Sequence, residues 1–125
     1  MKFLSEEWTE AVKAALNEDP EFRAAASGRS ANLLQVVTAD GGETRYWIKI
    51  QGGSIDMGLG DMEASDATIT ESYEIAVALA KSEISAVTAF MTGKIKVSGN
   101  MGLLLGLQGA LVRLPVAMSK LDVEY

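Results

Sequence analysis

The chain has 125 residues, 48% of them hydrophobic, and a formal net charge of −6 at pH 7. That length suits one domain with a buried core, and so apolar a composition with only two prolines excludes a disordered chain. The acidic balance argues against nucleic-acid binding, which needs a basic face to displace counterions, and the absence of cysteine and histidine excludes disulfides, thiol catalysis, Ser-His-Asp triads and ordinary zinc sites.

Met1–Leu4 runs at once into Ser5-Glu6-Glu7, so no secretory leader is read there. Ser5 is placed to cap a first helix, with Glu6 and Glu7 at its positive end and Trp8, Val12, Ala15 and Leu16 on one face. Asp19-Pro20 starts a second helix carrying Phe22 and Ala26, which Gly28 stops. The period then changes. Asn32–Ala39 reads as a strand, Asp40-Gly41-Gly42 as a hairpin turn, and Glu43–Gln51 as a second strand. Its residues Thr44, Tyr46, Ile48 and Ile50 share one face; Arg45, Trp47, Lys49 and Gln51 share the other.

Ser54–Leu59 follows Gly52-Gly53 as a third strand, and residues 60–65 form a loop. Asp66–Thr70 is a short fourth strand with Ala67 and Ile69 inward. Helical spacing returns with Ile75, Ala76 and Leu79, capped by Ser72 or Thr70. A short helix from about Ser85 carries Val87, Phe90 and Met91 to Gly93. Lys94–Ser98 is a fifth strand, with Ile95 and Val97 on one face and both lysines on the other. Gly99-Asn100 turns the chain into a final helix, Met101–Arg113. No repeat and no linker appears. The order predicts an α+β domain with helices on one side of a mostly antiparallel sheet.

Three candidate chemistries can be weighed. Gly93-Lys94 suggests a phosphate loop, but that loop needs its lysine at a helix start, and here the lysine opens a strand. Asp56, Asp61, Glu63 and Asp66 cluster along the chain, yet lack the order of a calcium-binding EF-hand and suit a solvated loop. A lone acid in an apolar cavity would serve as a proton-transfer base, though no acid is singled out. The final helix is apolar nearly all round, which implies burial on nearly all sides. Gly102, Gly106 and Gly109 fall on one face, and Leu104, Leu107 and Leu111 on the opposite one, with Gln108 beside them. Two readings stay open: a plain core helix, or a helix that packs by its glycines and offers its leucines to a ligand. The stretch Met101–Met118 contains Gln108, Arg113 and Pro115, so it is not read as a membrane span.

Two stretches resemble the sterol-binding domain family of sterol carrier protein type 2: "DATIT" at 66–70 and "AFMTGKIKVSGNMGLLLGLQ" at 89–108. The element order agrees over essentially the whole chain. The resemblance implies a five-stranded sheet with helices over one face and an apolar tunnel between them. It implies non-covalent binding of sterols, fatty acids, acyl-CoAs or phospholipids, with no catalysis and no cofactor. The family's ligand-side glutamine maps onto Gln108. The expected site is lined by Ile48, Ile50, Phe90, Met91, Met101, Leu104, Leu105, Leu107 and Leu111, in one lipid-binding domain spanning residues 1–125. This chain departs from the family in its acidity and in Gly106, where lysine is frequent. Its Ser119-Lys120-Leu121 triplet is internal, so it is not read as a peroxisomal address. The expectation is therefore a cytoplasmic lipid carrier, with transient membrane contact and oligomeric state left open. The rival is an accessory or partner-binding subunit of a lipid-metabolic enzyme, with the same fold and little or no cavity.

Overall fold

The computed structural model describes residues 1–125. Helix α1 (Glu6–Asn17) starts where the Ser5 hydroxyl accepts the Trp8 N–H at 3.2 Å. It buries Trp8, Thr9, Val12 and Leu16. Helix α2 (Pro20–Ala26) is capped by Asp19, which accepts the Glu21 N–H at 3.1 Å. Strands β1 (Ser30–Ala39), β2 (Gly42–Gln51), β3 (Ser54–Leu59) and β4 (Ala67–Ser72) follow. Next come α3 (Tyr73–Ala80), capped by Ser72, and α4 (Ala86–Met91), capped by Ser85. Strand β5 (Ile95–Gly99) leads into α5 (Met101–Gly106), α6 (Gln108–Leu111) and α7 (Arg113–Ser119).

The five strands form one sheet in the order β3-β2-β1-β4-β5. Only the β1–β4 pair is parallel. Asp66 locks this centre: its carboxylate accepts the Asn32 N–H at 2.7 Å, and its backbone carbonyl accepts the Asn100 N–H at 2.9 Å. The same carbonyl explains Gly99. A Cβ there would stand 2.5 Å from it, and φ is +102°, a conformation open to glycine and strained for other residues.

Period-two alternation divides the sheet as the sequence predicts. Ala31, Leu33 and Val37 of β1 join Tyr46, Ile48 and Ile50 of β2, Ile55 and Met57 of β3 and Ala67 of β4 in one core with the helices. On the other face Leu34 and Val36 of β1 are buried as well. Trp47 covers Gly58 so closely that a Cβ on that glycine would lie 2.5 Å from the indole. Lys49 stacks over the same ring at 5.2 Å. Asn17, at the end of α1, bonds through its side chain to both the N–H and the C=O of Ile55, at 2.8 and 2.9 Å. That pairing occupies part of the β3 edge.

The single final helix predicted for Met101–Arg113 is corrected. The chain forms three short helices, jointed at Leu107 and Val112. Leu107 leaves helical geometry at φ −97°, ψ 1°, just after Gly106. Glycine is a weak helix former, and Gly106 and Gly109 lie on either side of this first joint. Each also meets the α2 end of the molecule: a Cβ on Gly109 would touch Ala25 at 3.6 Å, and one on Gly106 would lie 2.7 Å from the Arg29 guanidinium. Arg113 ties α7 to the start of α2 through Asp19 and Glu21, both at 2.8 Å.

Candidate functional site

Ile48 and Ile50 stand on the covered face of β2, and Leu107 drops onto the same core from the joint between α5 and α6. Ile48 and Leu107 are 0% exposed, so no water-wide space opens against either. Leu104 and Leu111 are half-buried and pack at the margin of this core, together with Leu103. The remaining predicted residues lie outside it. Phe90 and Met91 of α4, and Met101 and Leu105 of α5, are exposed, Met91 by 79% and Leu105 by 68%. Gln108 opens α6 with its side chain exposed. The structure therefore gathers Ile48, Ile50 and Leu107 in one core, packs Leu104 and Leu111 against it, and leaves the apolar side chains of α4 and the outer side of α5 exposed. Within α5 the split follows helical phase, since Leu105 lies about 100° round the helix from Leu104; Phe90 and Met91 belong to a separate helix, α4.

Two open grooves lie elsewhere. One, of about 500 Å³, runs between α1 and the β2–β3 hairpin and is lined by Glu6, Glu10, Trp47, Asp56 and Leu59 among others. The other, of about 460 Å³, lies beside Asp40 and Tyr73. None of the predicted lining residues borders either groove.

The four clustered acids do not converge. Asp56 pairs with Lys13 at 3.0 Å, which raises the lysine pKa through that hydrogen bond. Asp61 reaches Arg45 at 3.4 Å. Asp66 holds the Asn32 N–H, and Glu63 is exposed on its loop.

The acid that does enter the core is one that the sequence reading missed. Glu71 is 8% exposed on the covered face of β4, in register with Val37 of β1 and Ile95 of β5. Burial pushes its carboxyl up to about 7. Gln35 and Tyr46 stand opposite each other on the same face, 8% and 6% exposed. Burial, and secondarily the nearby Glu71 charge, push the Tyr46 hydroxyl well above its ordinary pKa. The Trp8 ring meets that of Tyr46 edge-on at 5.3 Å, and its buried Nε1–H has no hydrogen-bond partner. A signal for Glu71 was present. The alternation Ala67, Ile69 extends to residue 71 once the strand is carried two residues past Thr70.

Residues 11–112 match the family model described as the SCP-2 sterol transfer family. No curated protein matches the chain by sequence. Among solved structures, a crystal structure of sterol carrier protein 2 superposes with a TM-score of 0.84, at 19% identity over 97% of this chain and 100% of that one. Palmitated sterol carrier protein 2-like 2 of Aedes aegypti gives 0.64, at 20% identity, covering 90% of this chain and 95% of that one. The sec-alkylsulfatase Pisa1 of Pseudomonas sp. gives 0.63 at 18% identity, over 84% of this chain but only 16% of that enzyme. At these identities the likenesses show the shared fold.

Proposed function

The chain belongs to the SCP-2 sterol transfer family, and on that premise we propose that it binds and transfers a lipid as a single non-catalytic domain acting in the cytoplasm. No helix is long and apolar enough to cross a membrane. The observation that carries the reading is the arrangement of α4, α5 and α6. Leu104, Leu107 and Leu111 pack in or against the core that holds Ile48 and Ile50, while Phe90 and Met91 on α4 and Met101 and Leu105 on α5 are exposed. Exposed apolar side chains of this kind can take up an acyl chain or a sterol ring, and methionine adapts to either shape. Because Ile48 and Leu107 are fully covered, lipid enters by lifting α5 and α6 at the Leu107 joint. Gln108, at that joint, then meets a polar group of the lipid.

Removing apolar lipid surface from water supplies the driving force, at about 25 cal/mol per Å². Lifting and reordering α5 and α6 offsets part of it, so micromolar affinity is expected. Native mass spectrometry of the gently purified protein tests this. A co-purifying lipid mass, or a shift on adding palmitate or a sterol, is the expected result; no lipid and no shift rejects it.

A second reading has one observation in its favour. The same fold forms 16% of the alkylsulfatase chain, so it also occurs as one part of a longer chain. The exposed apolar side chains of α4 and α5 would then meet a protein partner, with transient membrane contact and oligomerisation as further uses of them. Rejection by mass spectrometry would leave this reading in place.

A further inference from the structure

We infer that Gln35, Tyr46 and Glu71 form an anchor for a neutral, hydroxyl-bearing lipid head on the covered face of the sheet. The inference rests on the lipid-binding reading and adds the head-group class.

Register brings the three together. Gln35 pairs directly with Tyr46, and Glu71 pairs with Val37, the next residue of β1 on that face. None of the three side chains makes a hydrogen bond within the chain, although each is more than nine-tenths buried. Only the Trp8 Nε1–H is sealed from solvent without a partner. The polar atoms of Gln35, Tyr46 and Glu71 keep a narrow contact with solvent, so three polar groups that are unpaired within the chain meet at one place, where a head group from outside would take over the bonds that water makes.

The chemistry of that partner follows from the charges around it. No lysine or arginine faces the cluster. On β2, Arg45 and Lys49 alternate to the opposite face, as Lys96 does on β5. From α1, Trp8 meets the cluster, and Lys13 is held by Asp56. From α3, Glu74 is exposed, the Tyr73 hydroxyl donates to the Tyr125 carbonyl, and Lys81 sits over the Tyr125 ring at 5.0 Å. Arg29 precedes β1, eight residues from Val37 and so roughly 25 Å away along the strand. An anionic head would be buried beside a carboxyl group with no countercharge, which is costly. A hydroxyl both donates and accepts, so it satisfies Glu71 in either protonation state. An anionic head can only accept, and loses its donor when Glu71 ionises.

Sterols and fatty alcohols share this hydroxyl chemistry, so both are used. Cholesterol, hexadecanol and hexadecanesulfonate, whose head stays ionised, are titrated against the purified full chain at pH 6 and pH 8. At least one alcohol should bind about equally at both pH values, whereas sulfonate affinity should fall about tenfold between them as Glu71 ionises. Glu71→Gln should abolish that fall. Tyr46→Phe, which keeps the ring, should weaken alcohol binding about fivefold. Circular dichroism confirms that each variant is folded. Alcohols and sulfonate binding alike at pH 8, or a pH response unchanged in Glu71→Gln, would overturn the anchor while leaving lipid binding intact. Failure of all three lipids to bind would overturn both.

Discussion

Glu71 sets a pH dependence on the fold itself. Its carboxyl has an ordinary value of 4.5 and is pushed up to about 7 in the folded chain, so the native state holds the proton more tightly than the unfolded one. The stabilisation is complete below about pH 4.5 and is lost as pH rises through about 7, with a total of about 3 kcal/mol. Urea unfolding of the wild type should therefore show stability falling across that window. Glu71→Gln should flatten the curve. An equal slope in both proteins would mean that Glu71 is solvated. The residue also shows where sequence reading stopped. A strand ended at Thr70 leaves Glu71 in a turn, whereas six residues of β4 place it opposite Val37.

At the scale of elements, the capped helices and alternating strands were legible and the last third of the chain was not. Ser5 and Asp19 cap as read, Ser72 rather than Thr70 caps α3, and Ser85, read only as the start of a helix, caps α4. Strand limits fall within two residues of the pattern, because one buried face fixes register. Residues 101–119 defeat the same method. A wheel of constant angle assumes one unbroken helix, and the joint at Leu107 separates residues that the wheel had placed together. Leu104, Leu107 and Leu111 share a predicted face but differ in burial, and Leu105 points outward. The packing implies unequal costs. Leu107→Ala should destabilise by about 2–5 kcal/mol, as for a filled core site. Leu105→Ala should change stability by less than about 0.5 kcal/mol, as for an exposed position. Chemical denaturation of both variants checks this, and similar losses would contradict the jointed arrangement. Leu107→Arg would place an unpaired charge in the core.

For the whole molecule, the sheet packs one face into the main core with the helices, and on the other face Leu34 and Val36 are buried as well, beside Trp47. The fold and the family were legible in the Ala89–Gln108 motif, since that segment builds α4, β5 and α5 in order. The site was legible only as a set of apolar residues. Which of them lie inside depends on the α5–α6 joint and on the Glu71 register, and both are tertiary. The central claim is that lipid enters between the sheet and the α5–α6 segment. Hydrogen–deuterium exchange, with and without saturating hexadecanol or palmitate, tests it most directly. Exchange should change with lipid chiefly in residues 101–111 and in the β2 segment around Ile48–Ile50. Lipid binding with exchange unchanged in those segments, or changed only along the α1–β3 groove, would contradict it.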